Sequence, residues 1–127
     1  MMDVMIKEFP LAKLVMLKKR KDFDYVYQKR NVFGNRNLVM YFVKNGTDTN
    51  RLGIVVSKKV SNLAVDRNKI RRRLKDIVRL NDGKVKQGYD LLIIAKPNCL
   101  DLSYQMLEKA FMHLCYRKHL LKSDGES

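Results

Sequence analysis

At 127 residues the chain has room for one domain and little for a second, and 46% hydrophobic residues with only two prolines exclude wholesale disorder. Its 27 Lys and Arg outnumber 13 Asp and Glu, a formal charge of +14, which sets basic partners aside and favours polyanions, nucleic acid first and an anionic membrane second. Two cysteines, Cys99 and Cys115, exclude a disulfide scaffold and, lacking CxxC spacing, offer no metal pair. Reduced thiols in a cytoplasmic protein are the expectation.

Residues 1–16 are methionine-rich but carry Asp3, Lys7, Glu8 and Pro10. That is too broken for a signal segment or a membrane span, so they are set apart as an N-terminal extension without an assigned role. Over 19–29, Phe23, Val26, Tyr27 and Arg30 recur at i, i+3, i+4 and i+7. This predicts a short amphipathic helix with an aromatic stripe, approached by the basic run 17–21 (LKKRK). Gly34, Asn31, Asn35 and Asn37 then break the pattern. Two apolar, β-branched runs follow, 38–44 (LVMYFVK) and 51–57 (RLGIVVS). The turn-forming cluster NGTDTN between them predicts a hairpin.

A second helix is predicted over 67–80, with Ile70, Leu74, Ile77 and Val78 on one face. Asp66 is the expected N-cap, with Val65 stapled onto Ile70. A third apolar run, 89–96 (YDLLIIAK), is closed by Pro97. The last helix, 103–121, is expected to bury Tyr104, Leu107, Phe111 and Leu114. Asp101 or Ser103 would cap it, with Arg117 and Lys118 near its C-terminal end. Residues 122–127 read as a flexible tail. The order helix, hairpin, helix, strand, helix predicts an α+β or α/β two-layer domain with a small mixed sheet.

The second helix carries most of the information. At about 100° per residue, Asn68, Lys69, Arg72, Lys75 and Arg79 fall opposite its apolar face, flanked by Arg71 and Arg73, with Asp76 the one interruption. Lys58 and Lys59 precede it. An ordinary solvated face mixes signs so that i, i+4 pairs attract. Here Arg71/Lys75 and Lys75/Arg79 repel, which suits a helix laid along a phosphate backbone, where arginine's planar fork chelates and stacks. The apolar face lacks the Trp or Phe anchors of a membrane-surface helix.

The stretch 51–79 (RLGIVVSKKVSNLAVDRNKIRRRLKDIVR) closely resembles the signature of the bacterial ribonuclease P protein subunit: a strand ending in Ser-Lys-Lys, a short loop, and an Arg-Asn-Arg helix followed by basic residues. Residues 17–29 (LKKRKDFDYVYQK) and 88–97 (GYDLLIIAKP), with Ser103-Tyr104 beyond, resemble the same family, so the likeness covers roughly 17–121. One position departs from it. Lys69 stands where the family has the second arginine of its motif, keeping the charge without the bidentate fork.

The resemblance implies a small mixed four-stranded sheet packed with helices in a ribosomal-protein-like topology, with a left-handed strand–helix–strand crossover that the general right-handed rule would not have predicted. It implies that Lys58, Lys59, Arg67, Asn68, Lys69, Arg71, Arg72 and Lys75 contact the catalytic RNA subunit. It implies that Phe23, Tyr27 and Tyr41, with Lys18, Lys19 and Arg20 nearby, receive the 5′ leader of precursor tRNA. Mg²⁺, bound mainly by the RNA subunit, would perform the hydrolysis. The residues themselves agree on the second surface, since aromatics beside cations make a stacking platform for splayed bases. Phe at helical spacing is also ordinary core, whereas a Tyr needs a partner for its hydroxyl.

No catalytic constellation of the chain's own is visible. His113 and His119 are six apart, about 240° around a helix, without a carboxylate or nucleophile at helical spacing. No Asp/Glu cluster suggests a two-metal site. This absence agrees with what the resemblance implies, the protein subunit of an RNA-based endoribonuclease, with no membrane partner expected. Two rivals are a structural RNA-binding protein of ribosomal type and a DNA-binding regulator, the latter lacking a helix-turn-helix.

Overall fold

The computed structural model describes residues 14–122. It holds five strands, β1 (Val15–Met16), β2 (Val32–Gly34), β3 (Leu38–Lys44), β4 (Arg51–Val55) and β5 (Tyr89–Ala95), and three α-helices, α1 (Arg20–Lys29), α2 (Ala64–Asn81) and α3 (Tyr104–Arg117). The strands form one mixed sheet in the order β1-β4-β5-β3-β2. The expected four strands become five because short edge strands join on both sides. Val15–Met16, expected within an N-terminal extension, pair parallel with β4. Val32–Gly34, expected within a break, form a hairpin with β3. Residues 1–13 of the extension and 123–127 of the tail lie outside the described residues.

The hairpin expected between the first and second apolar runs, 38–44 and 51–57, does not form. β5 lies between β3 and β4, antiparallel to the first and parallel to the second. Each of these strands is apolar on both faces, and β5 is almost entirely buried, so the interior of the sheet is where they lose most water contact. The loop after β3 must therefore cross two interstrand spacings, about 10 Å. It does so over Gly88, where φ is +93° and an added Cβ would stand 2.7 Å from the Thr47 carbonyl oxygen. Asn45 pins the crossing, its amide donating to the Gly88 carbonyl and its Nδ2 to Asp90.

β4 and β5 are parallel neighbours joined through α2. Register places Leu38, Met40, Leu52, Leu91, Ile93 and Ala95 on one face. There they meet Ile70, Leu74, Ile77 and Val78 of α2 and Leu107, Phe111 and Leu114 of α3 in the main core. The apolar faces predicted for both helices are thus the buried ones. α1 lies on the other face, where Val26 joins Leu17, Val43 and Leu92 in a smaller cluster.

Helix ends differ from expectation. α2 begins one turn early, with Leu63 at the N-cap position and no side-chain cap. Asp66 sits inside the first turn, accepting from the Ser61 hydroxyl at 2.8 Å and countering the helix dipole. Val65 is 67% exposed, so no staple forms. Ser103 caps α3, accepting from the Met106 amide. That helix stops at Arg117, and His119 (φ 58°) turns the chain back so that Leu121 bridges Val85 and the Lys122 amide donates to the Lys84 carbonyl. Lys122 is therefore held, contrary to its expected place in the tail.

Candidate nucleic-acid interfaces

α2 presents Asn68, Lys69, Arg72 and Lys75 to solvent, and Lys58 and Lys59 are exposed in the turn after β4. That turn is seated by Val60, 5% exposed, and by the Lys59 amide donating to the Ser57 hydroxyl. Arg71 donates to Oδ1 of Asn68 at 2.6 Å. Arg67 turns back, its guanidinium donating to the Ser61 carbonyl, so it braces the loop as well as adding charge. Arg73, also half-buried, donates to the Leu102 carbonyl. Asn68, Arg71, Arg72 and Lys75 share an open groove of about 330 Å³ with Met16 and Ile54, which the sequence reading did not foresee because it needs β1 beside β4.

Among the described residues the ion pairs are Arg51 with Asp22 and Asp90, and Arg79 with Asp76. None of Lys58, Lys59, Arg67, Lys69, Arg71, Arg72 or Lys75 has a carboxylate partner there. Asp76, the one acid on this surface, is already engaged. Arg79 donates to one of its oxygens at 2.7 Å and the Tyr104 hydroxyl to the other at 2.8 Å. These two hydrogen bonds hold its carboxyl below the usual range, Arg79 contributing most. Lys69, Arg71, Arg72 and Lys75 of α2 thus repel one another with no carboxylate partner among the described residues.

The second surface lies on the opposite face of the sheet. α1 covers only part of that face. Phe23 rests on Gly53, where an added Cβ would stand 2.7 Å from Cε1 of the ring, so the absence of a side chain in β4 is what admits the ring. Beside it, Tyr27 and Tyr41 meet edge to face with centroids 4.9 Å apart. Burial, then Tyr41 and Asp24, push the Tyr27 hydroxyl above its ordinary pKa. Register puts Val39, Val55 and Ile94 on the same face as Tyr41, each half-exposed. They continue the apolar surface of that face, with Val55 packed, like Phe23 and Tyr41, against the smaller cluster. Lys18, Lys19 and Arg20 are exposed at the start of α1.

All six residues expected at this second surface are thus found on or leading into α1 and on β3, with Phe23 packed on Gly53 and against the smaller cluster. Val39, Val55 and Ile94 were missed. Parity along β3 places Val39 with Tyr41, but only the position of α1 shows which stretch stays uncovered. His113 is exposed and has Nδ2 of Asn35, not a carboxylate, 3.2 Å from its Nδ1. Among the described residues no group of three or more His, Cys, Asp or Glu side chains is placed to hold a metal ion, and no helix is long and apolar enough to cross a membrane.

The ribonuclease P family model matches residues 11–119. The chain belongs to the ribonuclease P protein family. The match takes in β1, which the resemblance read from the sequence had left out. The ribonuclease P protein component of Alkaliphilus oremlandii is 43% identical over 107 residues, 84% of this chain and 93% of that protein. That of Finegoldia magna is 44% identical over 107 residues, 83% and 91% of the two chains. Among solved structures, the Staphylococcus aureus RNase P protein superposes with a TM-score of 0.78 at 30% identity, covering 87% of this chain and all of that one. The Thermotoga maritima RNase P protein gives 0.74 at 30% identity, over 80% and 96%.

Proposed function

We propose that this chain is the protein subunit of ribonuclease P in the cytoplasm, assisting endonucleolytic removal of the 5′ leader from precursor tRNA. Its α2 surface, from Lys58 and Lys59 to Lys75, lies on the catalytic RNA. The open sheet face beside α1 takes the single-stranded leader, with Phe23, Tyr27 and Tyr41 as stacking and packing groups and Lys18, Lys19 and Arg20 on its phosphates. The observation that carries this is the partly exposed apolar row of Val39, Val55 and Ile94 on the sheet face that also bears the Tyr27–Tyr41 pair, which fits bases freed from a helix better than a folded duplex.

The chain acts without an active site of its own. Its interfaces are cationic and offer no convergent oxygen donors, so the residues present do not fit a catalytic Mg²⁺. That ion belongs with the RNA, and no step is routed through this protein. Protein cations replace part of the neutralisation that the folded RNA otherwise draws from metal ions. The test is reconstitution with a bacterial ribonuclease P RNA at low Mg²⁺, following precursor-tRNA cleavage. The expected result is strong stimulation by the protein, with no cleavage by RNA-free protein. Tight RNA binding without stimulation would return the chain to the ribosomal-type reading.

A further inference from the structure

The α3 edge of the sheet carries cations that neither surface above uses. Phe33 of β2 packs against the main core, and two cations meet its ring, the Arg117 guanidinium at 5.5 Å and the Lys118 ammonium at 5.6 Å from the centroid. Two like charges on one ring repel each other. Neither pairs with a carboxylate among the described residues.

Asn35 builds the adjoining part. Its Oδ1 accepts from the amides of Asn37 and Leu38, closing the β2–β3 turn. Its Nδ2 donates to the Ala110 carbonyl at 2.9 Å and approaches Nδ1 of His113, and its own carbonyl accepts from Lys96 at 2.7 Å. With Asn35 as donor, Nδ1 of His113 is the acceptor. Turn and helix thereby flank an open groove of about 280 Å³ whose lining includes Arg36, Met106, Lys109 and His113.

Lys109, His113, Tyr116 and Arg117 recur at i, i+4, i+7 and i+8, one exposed stripe of α3. No carboxylate interrupts it. Glu108 is turned to Asn81, whose Nδ2 donates to it at 2.8 Å. Asp101 lies in the neighbouring groove, which Arg36 also lines.

We propose that this edge, centred on Arg36, Lys109, His113, Arg117 and Lys118, binds a single RNA strand, separately from the α2 surface and the α1 cleft. The cations neutralise successive phosphates, and the exposed rings of His113 and Tyr116 stack on bases. Phe33 seats the two terminal cations. A groove this small and open on its outer side suits one nucleotide of a passing polymer. An acidic peptide would meet the cations but leave the rings unused.

The test is an NMR titration of the full chain with a twelve-nucleotide oligouridylate, comparing wild type with R36Q/K109Q/R117Q/K118Q, four substitutions that leave the core untouched. In wild type the Asn35 side-chain amide and the backbone amides of residues 109–117 should shift. In the variant those shifts should vanish while shifts at residues 23–27 and 39–41 persist. Its salt dependence for oligouridylate should also fall by roughly 0.7 per lost phosphate contact. Loss of the α1-cleft shifts alone would count against the leader reading and leave this one standing. A silent α3 edge in wild type overturns the proposal, as would equal shifts with an oligoglutamate of the same length, which would assign the edge to an acidic protein segment.

Discussion

Tyr27 of α1 and Tyr41 of β3 stand edge to face, their ring planes at 75° and centroids 4.9 Å apart. The pair joins the helix to the sheet, with Tyr41 packed against the smaller cluster and Tyr27 36% exposed. Changing either to Leu keeps volume and apolarity, and the thermal melt should move little. Affinity for a precursor with a leader of several nucleotides should drop by about 1–3 kcal/mol. Mature tRNA should bind mutant and wild-type holoenzymes alike. Equal weakening of both substrates in well-folded variants would remove the leader from this cleft.

Arg72 and Lys75 are exposed and unpaired among the described residues. Neutralising both as Gln should lower the slope of log K against log salt for the RNA subunit by about 1.4–1.8, at roughly 0.7–0.9 per contact. Arg67→Gln should do more than remove one charge, because it also frees the Ser61 carbonyl and loosens the loop bearing Lys58 and Lys59. Lys69→Arg should be neutral or mildly favourable. An unchanged slope would mean that α2 faces something other than phosphate.

Gly53→Ala places a methyl 2.7 Å from the Phe23 ring and 3.1 Å from Leu92. The ring must move, at a cost of about 1–3 kcal/mol in a denaturant melt. Leader affinity should fall with it, while binding to the RNA subunit stays near wild type. Adding Phe23→Leu should recover stability without recovering leader affinity. If Gly53→Ala binds leader normally, Phe23 is packing only.

Arg51 chelates Asp90, Nε to Oδ1 at 2.8 Å and Nη2 to Oδ2 at 2.6 Å, and reaches Asp22 of α1 at 3.8 Å. Asp90 is 1% exposed. Arg51→Met leaves that carboxylate with Asn45 as its remaining side-chain donor and should cost about 3–5 kcal/mol in a denaturant melt. A loss below about 1 kcal/mol would show that water or a neighbouring cation replaces the guanidinium.

The Asp76 carboxyl titrates below its ordinary 3.8 because Arg79 and then Tyr104 hydrogen-bond to it. A depressed folded pKa stabilises above the unfolded value, and the effect disappears as pH falls through the folded one. Wild type and Asp76→Asn should therefore differ most above about pH 4 and converge in acid. Because the side chain is 40% exposed, the difference should be modest and smaller at high salt. Melting curves from pH 6 to pH 2.5 measure it, and parallel curves would remove Asp76 as the cause.

Local pattern was enough to locate the helices and the apolar runs, since a period of 3.6 and a continuous apolar stretch are written in neighbouring residues. It also revealed the α2 cations, because a helix fixes which side chains share a face. The Arg-Asn-Lys stretch needed no tertiary information to look like a phosphate surface. Helix ends were less legible. Asp66 is chemically suited to a cap, yet packing drew the first turn back to Ala64 and left it inside.

Strand partners belong to the tertiary structure alone. Every strand offers the same row of N–H and C=O groups, so the turn cluster after β3 specified a change of direction and not a neighbour. β5, which begins thirty-four residues after the end of β4, took the place between β3 and β4 because three strands apolar on both faces bury most when adjacent. That choice fixed which sheet residues remain open beside α1. Val39, Val55 and Ile94 come from three strands, and no spacing along the chain brings them together. The sequence by itself determined the charge and the aromatic content of this protein; only the folded sheet decided where they converge.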